Sequence, residues 1–155
     1  MNRTLTFLLA AACLAPAARA GEKRLTEKQM PAPVLAAFHK TYPGAAIRGL
    51  AVETEHGQTT YEIESLDGKT RRDLSYLADG TLAEVEETIP ESDLPAAVLA
   101  AVKAKHPKAK LLKAEKDTKG AAVTYELHIN EGKRRREVVL TPEGKTLNEE
   151  AGGKD

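Results

Sequence analysis

Residues 60–76 read TYEIESLDGKTRRDLSY, and residues 124–140 read TYELHINEGKRRREVVL. In each stretch, polar and apolar residues alternate up to an acidic residue followed by glycine. Alternation with a period of two predicts β-strands with one buried face. Asp67-Gly68 and Glu131-Gly132 are candidates for two-residue turns, because glycine accepts a positive φ. Each stretch therefore predicts a β-hairpin.

A turn at Asp67-Gly68 also predicts the register of the first hairpin, with Ile63 opposite Arg72. The second hairpin follows the same rule, and the side chains of both hairpins divide into two faces. The buried face is predicted to hold Tyr61, Ile63, Leu74, Tyr76, Tyr125, Leu127, Val138 and Leu140. The polar face is predicted to hold Glu62, Glu64, Arg71, Asp73, Glu126, His128, Arg135 and Glu137.

The two hairpins belong to a longer repeat. Residues 30–86 align with residues 94–150 without a gap, and 18 of the 57 aligned positions are identical. We call this fixed spacing, which places residue 30 on residue 94, the repeat offset. A match of this extent at one spacing predicts a tandem duplication. We expect repeat 1 to span residues 21–88, repeat 2 to span residues 89–150 and a flexible tail to follow at residues 151–155.

Each repeat opens with a predicted helix of about 12 residues. Val34, Leu35 and Phe38 form an apolar stripe with a helical period, and Pro31 and Pro43 bracket it. So short a helix needs a sheet to pack against. The remaining alternation predicts further strands near residues 46–53, 82–87, 110–116 and 146–150. The expected fold class is α+β, with two tandem repeats that each pack one helix on an antiparallel sheet of three or four strands.

The N-terminal residues 1–20 resemble a targeting segment. Arg3 precedes an apolar stretch from Leu5 to Ala15, and Ala18-Arg19-Ala20 is a small-residue cleavage signal. The stretch is too short to cross about 30 Å of hydrocarbon, so we expect no stable membrane insertion. A cleaved signal peptide and a periplasmic or secreted location are predicted. The alternative is a lipoprotein signal that uses Cys13.

Composition excludes several classes of function. Lys and Arg number 23, as do Asp and Glu, and a chain without net charge lacks the basic excess of nucleic-acid binders. Cleavage after Ala20 removes Cys13, the only cysteine. A chain without cysteine has no disulfide, no thiolate zinc site and no cysteine nucleophile.

The repeated pattern resembles a known family. Pro31, Ala32 and Val34 to Ala37 open the pattern, Tyr42-Pro43 closes its helix, and Thr60-Tyr61-Glu62-Ile63 opens its hairpin. These residues are similar to those of the PepSY-like family, which is described as β-lactamase-inhibitor-like. The resemblance implies an exported bacterial protein of α-plus-antiparallel-β repeats, with no cofactor and no catalytic residues. It also implies a sheet presented to a protein partner.

Neither a metal site nor an active site is predicted. The four histidines have no metal-ligand spacing and do not recur at the repeat offset, so we expect them at the surface. Glu86 and Glu87 are neighbouring carboxylates, but nothing in the sequence indicates the desolvation that acid–base chemistry needs. We expect them to be solvated, and we expect no catalytic residue, metal or cofactor.

The function predicted from the sequence is that of a non-enzymatic binding module that recognises an envelope or secreted protein. The binding residues would be those of the predicted polar face, which presents strand geometry and charge to the partner. The alternative is a periplasmic sensor or carrier that holds a small ligand in a cleft between helix and sheet. Tyr61 and Phe38 would line that cleft.

Overall fold

The computed structural model describes residues 22–55 and 57–152. The predicted signal peptide, its alternative lipidation site and His56 lie outside these ranges. Nine strands and two α-helices make up the described chain. In order, they are β1 (Lys23–Arg24), α1 (Ala32–Thr41), β2 (Ala46–Glu55), β3 (Gln58–Asp67), β4 (Thr70–Tyr76), β5 (Leu82–Ile89), α2 (Ala96–Lys105), β6 (Lys110–Lys119), β7 (Ala122–Glu131), β8 (Arg134–Leu140) and β9 (Thr146–Ala151).

All nine strands form one antiparallel sheet, and their order in the sheet is their order in the sequence. The predicted fold class, two tandem repeats that each pack one helix on an antiparallel sheet of three or four strands, is therefore wrong, because one nine-stranded sheet carries both helices. The two halves are joined because β5 pairs with β6, from Glu84 opposite Lys119 to Ile89 opposite Ala114. Two separate sheets would each leave an edge of unpaired N–H and C=O groups here, and joining the edges satisfies those groups.

Both helices lie against the same face of this sheet, which we call the inner face. Val85 packs with the core around α1, and Ile89 packs with the core around α2. These residues are four apart on β5 and so point to the same side of the sheet. With 10 residues each, α1 and α2 are about 15 Å long, and no described helix is long and apolar enough to cross a membrane.

The inner face carries two apolar cores, one under each helix. The buried residues of the first core are Met30, Val34, Phe38, Ile63, Leu74 and Tyr76. Those of the second core are Leu94, Val98, Ala114, Tyr125, Leu127, Ile129, Val138 and Leu140. Full burial of each large side chain contributes roughly 1.5–3 kcal/mol. Because α1 and α2 are too short to be stable in isolation, these contacts stabilise them.

The hairpin register differs from the prediction by two residues. Asp67 pairs with Thr70, so the two loop residues are Gly68 and Lys69. Ile63 then lies opposite Leu74 instead of Arg72, which places one apolar side chain beside another. A shift of two residues leaves every side chain on its predicted face, because the strand period is two. The second hairpin has the equivalent register, with Leu127 opposite Val138.

The two halves share their irregularities as well as their strands. The register of β2 against β3 shifts between Ile47 and Gly49, and that of β6 against β7 shifts between Leu111 and Lys113. The repeat offset places the first of these positions on the second. Matching bulges are what a duplicated chain requires, and the duplication itself stays a prediction.

Two glycines, Gly80 and Gly144, let the turn after each hairpin lie directly on a helix. Gly144 has a φ of 83°, and a Cβ atom there would lie 2.5 Å from the carbonyl oxygen of Ala97 in α2. Gly80 has a φ of 86° and makes the same approach to Pro33 in α1. Glycine is needed at these positions for its positive φ and for its missing side chain.

We expect Gly144→Ala to destabilise the protein more than Gly132→Ala does. Both glycines have positive φ, so each alanine costs about 1–2 kcal/mol in backbone strain. A Cβ at Gly132 meets no atom within 4 Å, whereas the one at Gly144 overlaps α2 and adds about 1–3 kcal/mol. Urea unfolding of both variants measures the difference. Equal losses of stability would show that the turn does not press on α2.

Candidate functional site

The face of the sheet opposite the helices, which we call the outer face, carries a row of carboxylates. Glu64 of β3 lies opposite Asp73 of β4, Asp73 lies opposite Glu86 of β5, and Glu86 lies opposite Asp117 of β6. Side chains directly opposite on neighbouring strands have Cβ atoms about 4.5–5.5 Å apart. We call these four residues the acidic row. It crosses the junction between the two halves.

Few cations compensate the acidic row. The Arg71 guanidinium lies 3.3 Å from Glu64 Oε2 and 3.7 Å from Asp73 Oδ2, so it compensates the negative charge at one end of the row. At the other end, the Thr124 hydroxyl donates a long hydrogen bond of 3.5 Å to Asp117 Oδ2. Asp73 Oδ1 and Asp117 Oδ1 are buried and accept no hydrogen bond from any described residue. The centre of the outer face is therefore rich in carboxyl groups and poor in compensating cations.

Burial and mutual repulsion raise the pKa values of three carboxyls of this row, those of Asp73, Glu86 and Asp117. Burial, followed by repulsion from Asp117 and Glu115, raises the pKa of Glu86 to about 8. Burial and the charge of Glu84 raise the pKa of Asp117 to about 6. Burial also raises the pKa of Asp73. Because like charges directly opposite one another are destabilising, the Glu86 carboxyl holds its proton at neutral pH.

Beside the row, β6 and β7 bring two carboxylates and two cations together. Glu115 lies opposite Glu126, and Lys113 lies opposite His128. His128 Nε2 is 2.9 Å from Glu126 Oε1 and 3.7 Å from Glu115 Oε2, while Lys113 Nζ is 2.6 Å from Glu115 Oε1. Both carboxylates raise the pKa of His128 to about 9. Burial opposes ionisation of Glu115, but His128 and Lys113 outweigh it and lower the pKa of that carboxyl.

Comparison with known proteins gives a family and a fold. No curated protein matches the chain. Residues 18–84 and residues 61–148 both match the family described as "Putative beta-lactamase-inhibitor-like, PepSY-like". The chain belongs to the PepSY-like family. The two matches overlap at residues 61–84 and together cover most of the sequence.

Solved structures share the fold of this PepSY-like chain. A protein of Bacteroides eggerthii described as a "putative periplasmic" protein superposes with a TM-score of 0.64 at 17% identity, over 78% of this chain and 88% of that one. A BLIP-like protein of Bacteroides fragilis superposes with a TM-score of 0.58 at 17% identity, over 79% of this chain and 88% of that one. At such low identity, the likeness shows the fold alone.

The residues predicted for the polar face lie in two groups on the outer face of this PepSY-like sheet. The first group is on β3 and β4, the second is on β7 and β8, and two strands separate them, about 14 Å from β4 to β7. The first group is Glu62, Glu64, Arg71 and Asp73, and the second is Glu126, His128, Arg135 and Glu137. Glu137 is only 8% exposed, so it offers little surface to a partner.

Sequence reasoning missed the strands that connect these groups. Glu84 and Glu86 on β5, and Glu115 and Asp117 on β6, fill the space between them. The expectation that Glu86 is solvated is wrong, because pairing of β5 with β6 buries it among other carboxylates. The sequence signal for these residues was the alternation of acidic side chains along β5 and β6. Only the pairing of β5 with β6 brings these side chains together into one continuous surface.

The histidines do not all lie at the surface, contrary to the prediction. His39 is exposed on α1, as expected. His106 is 6% exposed, with Nδ1 3.7 Å from Glu131 Oε2 and Nε2 3.5 Å from Glu149 Oε1. His106 directly follows the C-terminus of α2 and lies in line with the apolar stripe of that helix. Its ring is buried because this stripe faces the sheet. His128 is half-buried within the pairs described above.

We expect the free energy of unfolding to fall as the pH rises from about 4.5 to about 8. The pKa of Glu86 is 4.5 when unperturbed and about 8 in the folded protein, so folding takes up a proton in this interval. The stabilisation is complete below pH 4.5 and is lost as the pH rises through 8. Glu86→Gln stays neutral and should exceed the wild type by about 1–2 kcal/mol at pH 8.5, allowing for partial solvent screening.

Chemical denaturation at several pH values measures this difference. Glu91→Gln, at an exposed glutamate outside the outer face, is the matched control and should follow the wild-type curve. A Glu86→Gln curve parallel to that of the wild type would contradict the raised pKa.

Proposed function

We propose that this PepSY-like protein is an exported, non-catalytic binding protein that recognises a partner protein through the outer face of its sheet. Membership of a β-lactamase-inhibitor-like family supports an inhibitor-like role, and so does the shared fold with a BLIP-like protein. The family's name does not make a β-lactamase the target of this chain. What this sheet offers a partner follows from its own outer face.

The acidic row is the observation that carries the proposal. A folded protein gains little from placing Glu64, Asp73, Glu86 and Asp117 opposite one another, because burying the row costs stability whether Glu86 is charged or holds its proton. A partner surface with lysine or arginine side chains offers positive charge that stabilises the ionised carboxylates of the row. The partner we propose is therefore a protein with a basic patch.

The contact surface of the proposal combines predicted and missed residues. The predicted groups on β3–β4 and β7–β8 form its two sides, and β5 and β6 supply its centre. β4 pairs with β5 and β7 pairs with β6, so the charges of the two central strands are fixed in position before the partner arrives. The central residues of the surface are Glu84, Glu86, Glu115 and Asp117.

The location proposed for the protein is the periplasm or the extracellular space. A structural neighbour is described as periplasmic, and the predicted signal peptide at residues 1–20 agrees with export. The mature protein would meet its partner outside the cytoplasm.

The carrier alternative finds no support among the described residues. Phe38, one of the two residues expected to line its cleft, is fully buried in the first core with Val34, Ile63 and Leu74. These side chains fill the space between α1 and the sheet. We therefore retain protein binding as the one proposed function.

We expect Glu64→Lys with Glu84→Lys to weaken partner binding at least about tenfold, because both changes reverse charge on the outer face. The matched control is Glu91→Lys with Glu143→Lys, which changes net charge equally at positions away from that face. The partner is captured from the native envelope with the wild-type protein and identified by mass spectrometry. Its Kd for each variant is then measured by biolayer interferometry at two salt concentrations.

The two variants separate a specific surface from general electrostatics. Loss of binding in the outer-face variant alone, with tighter binding at low salt, supports the proposal. Equal binding by both variants would exclude the outer face as the contact surface.

A further inference from the structure

Three side chains on the outer face converge in the way that metal ligands do. The imidazole of His128 and the carboxylates of Glu115 and Glu126 offer one ligand atom each, and these atoms all lie within 4.8 Å of one another. His128 Nε2 is 2.9 Å from Glu126 Oε1 and 3.7 Å from Glu115 Oε2. The groups lie beside the acidic row, within the surface proposed to contact the partner, so a metal bound there deepens that proposal.

These separations fit a tetrahedral cation. Zn²⁺ binds histidine nitrogen and carboxylate oxygen at about 2.0–2.2 Å, so two ligands at a tetrahedral angle lie about 3.4 Å apart. The separations of 2.9 and 3.7 Å lie on either side of this value. The three ligand atoms all lie within 4.8 Å of one another, so side-chain movements of up to about an ångström would bring them to tetrahedral separations.

The strands hold the ligands on a rigid base. Glu115 and Glu126 are directly opposite on β6 and β7, which β5 and β8 flank on either side. His128 follows two residues after Glu126 and so lies on the same face. A metal ion bound between these carboxylates would take the place of the Nε2 proton through which His128 compensates their charge.

Lys113 forms an ion pair with one of the three candidate ligands, Glu115. Its ammonium group is 2.6 Å from Glu115 Oε1, while the second oxygen of that carboxylate, Oε2, points to His128. Lys113 therefore fixes the orientation of Glu115 and leaves its second oxygen for a metal. In many metal sites, a residue that does not touch the metal orients a ligand in this way.

The corresponding positions of the first half do not hold the same set. At the repeat offset, the positions of Glu115, Glu126 and His128 correspond to Ala51, Glu62 and Glu64. The first half thus lacks both the imidazole and one carboxylate. This difference supplies an internal control on the same sheet.

We propose that Glu115, Glu126 and His128 bind one divalent transition-metal ion, with Zn²⁺ as the best fit. An imidazole with two carboxylates suits Zn²⁺ and Co²⁺, whereas Mg²⁺ and Ca²⁺ prefer oxygen ligands alone. Three protein ligands leave a fourth position open to solvent, as in zinc sites that accept an external ligand. A carboxylate or imidazole group of a partner protein is the chemistry that fits this position.

Titration of the full chain with Zn²⁺ by isothermal calorimetry tests the site. All samples carry Cys13→Ser so that no thiolate contributes. We expect one Zn²⁺ per chain at micromolar affinity, and a loss of at least about tenfold in affinity for His128→Gln and for Glu126→Gln. Glu64→Gln, at the counterpart of His128, and His39→Gln, at an exposed histidine, should bind as the parent does.

Co²⁺ gives a second readout that does not depend on heat. A tetrahedral Co²⁺ site absorbs strongly in the visible range, and His128→Gln should abolish this band while circular dichroism shows an unchanged fold. The proposal is overturned if His128→Gln and Glu126→Gln bind Zn²⁺ as tightly as the parent. It is also overturned if the parent binds only at millimolar concentration or if His39→Gln removes the binding.

Discussion

The pairing of β5 with β6 is the interaction on which the rest of the structure depends. It is the one strand pairing that connects residues of the first half to residues of the second half in the described chain. It turns two open sheets into one of nine strands and places both helices on the inner face. By the same hydrogen bonds, it aligns Glu86 with Asp117 and so joins polar positions from both halves into one surface.

The pairing of β5 with β6 brings like charges together on the outer face, and this electrostatic cost is only partly compensated. Glu84 opposite Lys119 is favourable, with 2.8 Å between the charged atoms, whereas Glu86 opposite Asp117 is not. The raised pKa of Glu86 lowers the cost, because a protonated carboxyl no longer repels its neighbours. A fold selected for stability alone would place a cation at this position. Retaining the carboxylates is consistent with an external partner that supplies the positive charge.

Much of the inner face was predictable from the sequence, whereas the centre of the outer face was not. Alternation along 60–76 and 124–140 assigns Ile63, Leu74, Leu127 and Val138 to the buried side, and the structure confirms this. The error of two residues in the hairpin register does not change the face predicted for any side chain, because side chains alternate between the faces with a period of two residues. Hydrophobic periodicity carries no information about which strand edges meet. Neither the acidic row nor the convergence of Glu115 with His128 could therefore be predicted.

The two halves differ on both faces of the sheet, in side-chain size on the inner face and in charge at some positions of the outer face. At the repeat offset, the glycines that touch the helices agree, and so do the hairpin tyrosines, Tyr61 and Tyr125. On the outer face, Ala51 corresponds to Glu115 and Glu64 corresponds to His128. A side chain on the inner face must fit a filled core, and even one added methylene strains it. An outer-face side chain meets solvent or a partner, so its chemistry can change without unfolding the sheet. Divergence at the outer-face positions can therefore change which partner or metal ion the sheet recognises.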